Sequence, residues 1–149
     1  MKRIIGIVLA AVFVLATIAF FLIRSAEDKV TADMLARAGR FAIPSDWKLT
    51  DEIVRPEQFL CMSTNPCPSL YRQWEAGKEL TEDDVEAIHS GVEFEMTANR
   101  PCQRPSNAIG VAAICILEGA DREYRYLLTL TSPDPNEPHL VTLVVESER

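Results

Sequence analysis

The chain is poor in the groups that motif-bearing enzymes use. It has two histidines, His89 and His139, far apart in sequence, so it lacks the closely spaced His pair that zinc sites favour. No Gly-x-Ser-x-Gly, phosphate-binding glycine loop, dinucleotide fingerprint, His-Glu-x-x-His or Cys-x-x-Cys occurs. Those absences remove the common hydrolase, nucleotide-enzyme and metalloprotease readings, and no cofactor or metal is expected. Basic runs are missing too. Lys and Arg total 15 against 22 Asp and Glu, so a nucleic-acid partner is not expected.

A long uncharged run opens the chain. Residues 4–23, IIGIVLAAVFVLATIAFFLI, carry no charge and make roughly 30 Å of helix, the thickness of a bilayer's hydrocarbon core. A cleaved signal peptide needs a shorter apolar region and a small-x-small site after it. Here Arg24 puts a bulky charge at that place, so the run reads as an uncleaved transmembrane anchor and the membrane as its partner. Lys2 and Arg3 precede the span, while Arg24 is followed by Glu27 and Asp28. The positive-inside rule then puts residues 1–3 in the cytoplasm and the rest outside. The expected organisation is a cytoplasmic N-terminus (1–3), a transmembrane helix (4–23), a juxtamembrane helix or stalk (24–43) and one extracytoplasmic domain (44–149). Without Lys2 and Arg3 the outer part has 13 basic and 22 acidic residues, a net charge of −9. Anionic lipid surfaces repel such a domain.

Four cysteines lie in the outer part: Cys61, Cys67, Cys102 and Cys115. An even count outside the cytoplasm reads as two disulfides, and local closure favours Cys61–Cys67 with Cys102–Cys115. Asn65-Pro66 supplies a turn between the first two. The alternative is an envelope thiol–disulfide oxidoreductase using Cys61 and Cys67, although their spacing is not that of a catalytic dithiol.

Hydrophobic periodicity gives the rest. Val30, Met34, Ala38 and Phe41 recur at helical spacing, with Gly39 near the exit. Alternation predicts strands over 47–53, 70–74 and 92–97. Thr81-x-x-Asp84 with Leu80 and Val85 is a capping box with a hydrophobic staple, opening a helix that Gly91 ends. Glu82, Asp83 and Asp84 suit that helix's N-terminal dipole. The near-continuous apolar stretch 109–117 predicts a central strand, and 118–121 a turn. Residues 124–131 and 140–146 add two more strands, read as an antiparallel meander. The fold expected is α+β: an antiparallel sheet of five or six strands with one or two helices on one face, tethered by the N-terminal span.

Tyr71, Arg72 and Trp74 are residue types found at binding hot spots, although Trp74 shares a strand face with Leu70 and is expected in the core. Arg100 and Arg104 flank Cys102 and are candidates to face an anionic ligand. IPSDW at 43–47, CPSLYRQW at 67–74 and the four-cysteine layout resemble small single-span envelope proteins of high-GC Gram-positive bacteria. An excess of arginine over lysine, 11 to 4, fits such a source. The resemblance implies an envelope location and no assigned activity. The expected function is therefore a membrane-anchored accessory or binding domain without catalytic activity, stabilised by two disulfides, with an envelope protein or cell-wall component as partner.

Overall fold

A computed structural model describes residues 2–58, 67–104, 110–133 and 137–148. Helix α1 (Lys2–Ala38) runs unbroken for 37 residues, about 55 Å. Apolar side chains ring its N-terminal half, and Phe13 is 74 % exposed. No described residue covers them. The helix is long and apolar enough to cross a bilayer, with a mean hydropathy of 2.2 over an 18-residue stretch, which is consistent with a single-pass membrane protein. Gly39 follows the last turn and its N–H reaches the Leu35 carbonyl at 3.0 Å. Residues 24–38 continue α1, and Met34, Ala38 and Phe41 are buried in the core of the domain.

Six strands follow in one antiparallel sheet: β1 (Lys48–Arg55), β2 (Ser69–Glu75), β3 (Thr97–Ala98), β4 (Ala112–Ala120), β5 (Tyr124–Ser132) and β6 (Leu140–Ser147). Their order is β1-β2-β6-β5-β4-β3. The last three long strands form the expected meander, and β2 docks on β6 to bring the β1–β2 hairpin into the same sheet. Between β2 and β3 lies α2 (Glu82–His89).

Register explains the core. Three rows of side chains cross one face: Cys115, Leu130, Val141 and Trp74; Leu117, Leu128, Leu143 and Arg72; Gly119, Tyr126, Val145 and Leu70. All but Arg72 and Gly119 are buried beneath α1 and α2, which contribute Met34, Ala38, Val85 and Ile88 to the same cluster. Burial of these aliphatic and aromatic groups is the main stabilising term, each worth about 1.5–3 kcal/mol. The cover stops short of β1, where Leu49 and Val54 on the same face are exposed.

The strand expected over 92–97 shrinks to two residues at its end, Thr97–Ala98. Val92, Phe94 and Met96 do turn inward onto the core, so their alternation reports packing and not a strand ladder. The central strand starts and ends three residues later than expected, and 118–120 belong to it instead of to a turn. Gly119 is there because chain crosses above it: a Cβ would meet Glu95 O at 2.8 Å, the Phe94 ring at 2.9 Å and Met96 Sδ. Turning falls to Asp121, whose Oδ1 accepts the N–H groups of Glu123 and Tyr124, both at 2.8 Å.

The two-disulfide expectation is corrected. Among the described residues one disulfide is present, Cys102–Cys115, with Cα atoms 4.9 Å apart. It forms because the chain before Cys102 runs along β4: Thr97 and Ala98 pair with it, and Asn99 exchanges hydrogen bonds with Ile116, N to O and N to Oδ1, each at 2.9 Å. Cys61 lies outside the described residues, and Cys67 is not a free thiol. The oxidoreductase alternative rests on Cys61 and so also lies outside the described residues.

Candidate functional site

The candidate residues separate into different parts of the molecule. Trp74 is buried in the core. Arg72 points to the same side near the sheet edge and pairs with Glu52 at 2.6 Å. Arg100 reaches back over β4, where its Nε donates to the Ile114 carbonyl at 2.6 Å and its NH2 to Ala113. A register shift falls between Ala113 and Cys115, and the guanidinium bonds to the two carbonyls at that place. Arg104 donates to Ser132 O at 3.2 Å, to Ser132 Oγ at 2.6 Å and to Gly110 O at 2.7 Å, tying the end of β5 to the start of β4. Both arginines hold backbone together and do not stand out from the loop.

Tyr71 lies on the other face of the sheet. It is the centre of a row formed by Ile53, Tyr71, Val144 and Leu127, and among the described residues no helix covers that face. Thr129, Thr142 and Gln73 make the next row, with Gln73 Nε2 donating to Thr142 Oγ1 at 3.2 Å. An apolar strip beside hydroxyl and amide groups has the composition of a contact surface: apolar centre, polar border.

A second feature has no counterpart in the sequence reading. Helix α2 opens with the expected capping box: Thr81 Oγ1 accepts the Asp84 N–H, and Asp84 Oδ2 accepts the Thr81 N–H. Hydrogen bonds from Lys78 and the Thr81 backbone hold the Asp84 carboxyl at about 2. Beside this N-terminus is a recess of about 500 Å³, lined by Glu79, Thr81, Glu82, Asp83, Gln103 and His139 among others. His139 is buried, and its Nδ1 accepts the Leu80 N–H at 3.0 Å. Burial pushes its pKa down; Glu79 opposes that and Arg104 reinforces it.

The third cluster binds α1 to the sheet. Arg37 donates to Asp33 at 2.8 Å, to Asp121 at 2.7 Å and to Glu123, and its guanidinium lies 5.3 Å from the Tyr124 ring centre. Tyr126 Oη donates to Asp121 at 2.7 Å, and Tyr124 Oη to the Val30 carbonyl at 3.3 Å. Burial pushes the Asp121 carboxyl up, but hydrogen bonds from Glu123 N–H, Tyr126, Arg37 and Tyr124 N–H together hold it below its ordinary value. The Tyr126 hydroxyl is pushed up, first by burial and then by its bond to Asp121. Sequence spacing gives no sign of this network, since its members lie on α1, on the β4–β5 turn and on β5. No protein-family model matches the chain, and no curated protein or solved structure matches it.

Proposed function

We propose that the protein is a single-pass membrane protein with its N-terminus in the cytoplasm. In this reading the sheet domain lies outside and binds another envelope protein close to the membrane. One observation carries the reading: α1 joins a lipid-length apolar run to core residues Met34 and Ala38 without a break. A domain built on the end of its own anchor keeps a set height and attitude above the bilayer, so its partner must come to that height. Lys2 and Arg3 before the span support the orientation. The Cys102–Cys115 bridge supports an oxidising compartment. The resemblance to single-span envelope proteins agrees with both. The contact surface is the open sheet face around Tyr71, and the occupant is a folded protein presenting an apolar patch.

The test has two arms. Protease added to spheroplasts should remove the sheet domain and leave the anchor, and protection of the domain would reverse the orientation. A photo-crosslinking residue at Tyr71 should capture one membrane-associated protein, while the same residue at Glu86, exposed on α2, should not. Equal capture from both places would refute the assigned surface.

A further inference from the structure

Strand β3 ends the sheet, so its outer edge has no strand beside it among the described residues. The Asn99 N–H donates to the Ile116 carbonyl directly opposite, which makes theirs a hydrogen-bonded pair. Bonded and non-bonded pairs alternate along an antiparallel ladder. The N–H and C=O of Ala98, opposite Leu117, therefore point away from β4 to the open edge. Ala98 is exposed, and neither group has a backbone partner among the described residues. Its side chain shares a face with Leu117, the face on which α2 packs. Between that edge and α2 runs a groove of about 420 Å³ with an apolar floor, where Val85, Cys102 and Leu117 are buried and Met96 is half-buried. On the α2 side it is bordered by Glu82 and Glu86, one turn apart and exposed, and neither makes an ion pair among the described residues. His89 and Arg100 also border it, but the Arg100 guanidinium is already bound to the Ile114 and Ala113 carbonyls.

We infer that this groove binds an extended basic polypeptide segment as an added antiparallel strand beside β3, with a small apolar residue opposite Ala98 and Lys or Arg two residues to either side. Three points select that class. Every strand pair in the sheet is antiparallel, and a residue added in that sense opposite Ala98 exchanges two hydrogen bonds with it. The side chain of that residue then lies on the groove face, against the apolar floor. Residues two positions away return to the same face about 7 Å along a strand, close to the rise of about 6 Å between Glu82 and Glu86 on a helix. A basic group there meets a carboxylate, whereas an acidic one is repelled by both carboxylates and by the acidic outer part as a whole. Backbone bonds give such a complex its affinity, and the groove gives it its choice of side chains. The groove shares no residue with the open sheet face, so either stands if the other fails. A protein captured from Glu86 and not from Tyr71 would belong to the groove.

The test uses the full chain in detergent micelles, labelled with 15N-alanine. The probe is acetyl-Lys-Ser-Val-Ser-Lys-amide, whose pattern reads the same in either chain direction. One control carries Glu in place of both Lys, and a second is N-methylated at Val, which removes the N–H that would donate to Ala98. Saturable binding of the lysine peptide should move the Ala98 amide signal and slow its hydrogen exchange, while Ala76, buried beyond β2, stays in place. The N-methylated peptide should bind about threefold or more weakly through loss of one backbone bond. The Glu peptide should bind more weakly by at least as much, as should the lysine peptide to the E82Q/E86Q double variant. Both substitutions are at exposed positions and keep the Asp84 cap. An unmoved Ala98 signal at saturating peptide, equal affinity for the N-methylated peptide, or equal affinity for the Lys and Glu peptides would each overturn the proposal. So would an Ala98 signal that moves with protein concentration alone, which would put a second copy of the chain at that edge.

Discussion

Arg37 ties the membrane helix to the turn between β4 and β5, and replacing it with Met tests how firmly. Met keeps the stem and removes five donors. The bond to Asp121 is the largest loss, because that carboxylate is 19 % exposed and Arg37 itself 25 %. A hydrogen bond between charged groups in such a setting is worth about 1.5–3 kcal/mol. Asp121 keeps the Glu123 and Tyr124 N–H groups and the Tyr126 hydroxyl, which draws the figure to the low end. Asp33 and Glu123 are about half exposed, so each pair adds about 0.2–1 kcal/mol. The sum expected for R37M is about 2–3 kcal/mol. Urea unfolding of the full chain in micelles reads it, followed by fluorescence of Trp47 and Trp74, which are both buried. Asp33→Asn is the control: its pair lies within α1, so it should cost about 0.5 kcal/mol and leave the helix docked. A cost for R37M below about 0.5 kcal/mol, or equal costs for the two variants, would show that the cluster does not fasten the helix.

Three other outcomes are expected. Gly119→Ala should destabilise by about 2 kcal/mol or more in the same urea assay, because the backbone at Glu95 cannot yield as a side-chain tip would; an unchanged midpoint would refute the close approach. Replacing Cys102 and Cys115 together by Ala opens a loop of sequence separation 13 and should cost about 3 kcal/mol in the chain-entropy relation, checked by thermal melts without reductant. Lowering the pH should reduce stability below about pH 6.5, because His139 has a depressed folded pKa and the unfolded chain takes up the proton first. Stability from this group is complete above that pH, and a flat profile from pH 7 to 5 would contradict it.

The parts legible in the sequence are those set by local chemistry. Thr81 and Asp84 cap one helix within four residues, and the box forms as read. The apolar run announces its own length, and period-two alternation locates β2, β5 and β6 to within a residue or two. What the sequence hides depends on distant partners. Gly119 looks like a turn residue until Phe94 and Met96 cross above it. Arg100 and Arg104 look like exposed charges beside a cysteine until β4 carbonyls meet one and Ser132 meets the other. His139 has no neighbour of note in sequence, because the N–H it accepts belongs to Leu80, 59 residues earlier. A pattern of Cys, Pro and Arg tells which groups are available and says nothing of which atoms they face.

The continuity of α1 constrains how the protein works. A flexible stalk would let a domain search for its partner, and affinity would then depend on stalk length. Here Val30 accepts from Tyr124, Thr31 Oγ1 accepts the Glu57 N–H at 2.9 Å, and Met34 is buried, so the domain closes on the helix within the first turns past the apolar run. Tilt or rotation of the span therefore becomes tilt or rotation of the sheet. Inserting one residue after Arg24, short of those contacts, should turn the domain by about 100° around the helix axis, since an α-helix has 3.6 residues per turn. Four inserted residues make just over one turn and nearly restore its facing, some 6 Å farther from the bilayer. If the partner at the Tyr71 face is itself membrane-bound, capture from Tyr71 should fall sharply with one inserted residue and return with four. Equal capture from both insertions would mean that helix α1 does not hold the domain's attitude, whatever the partner.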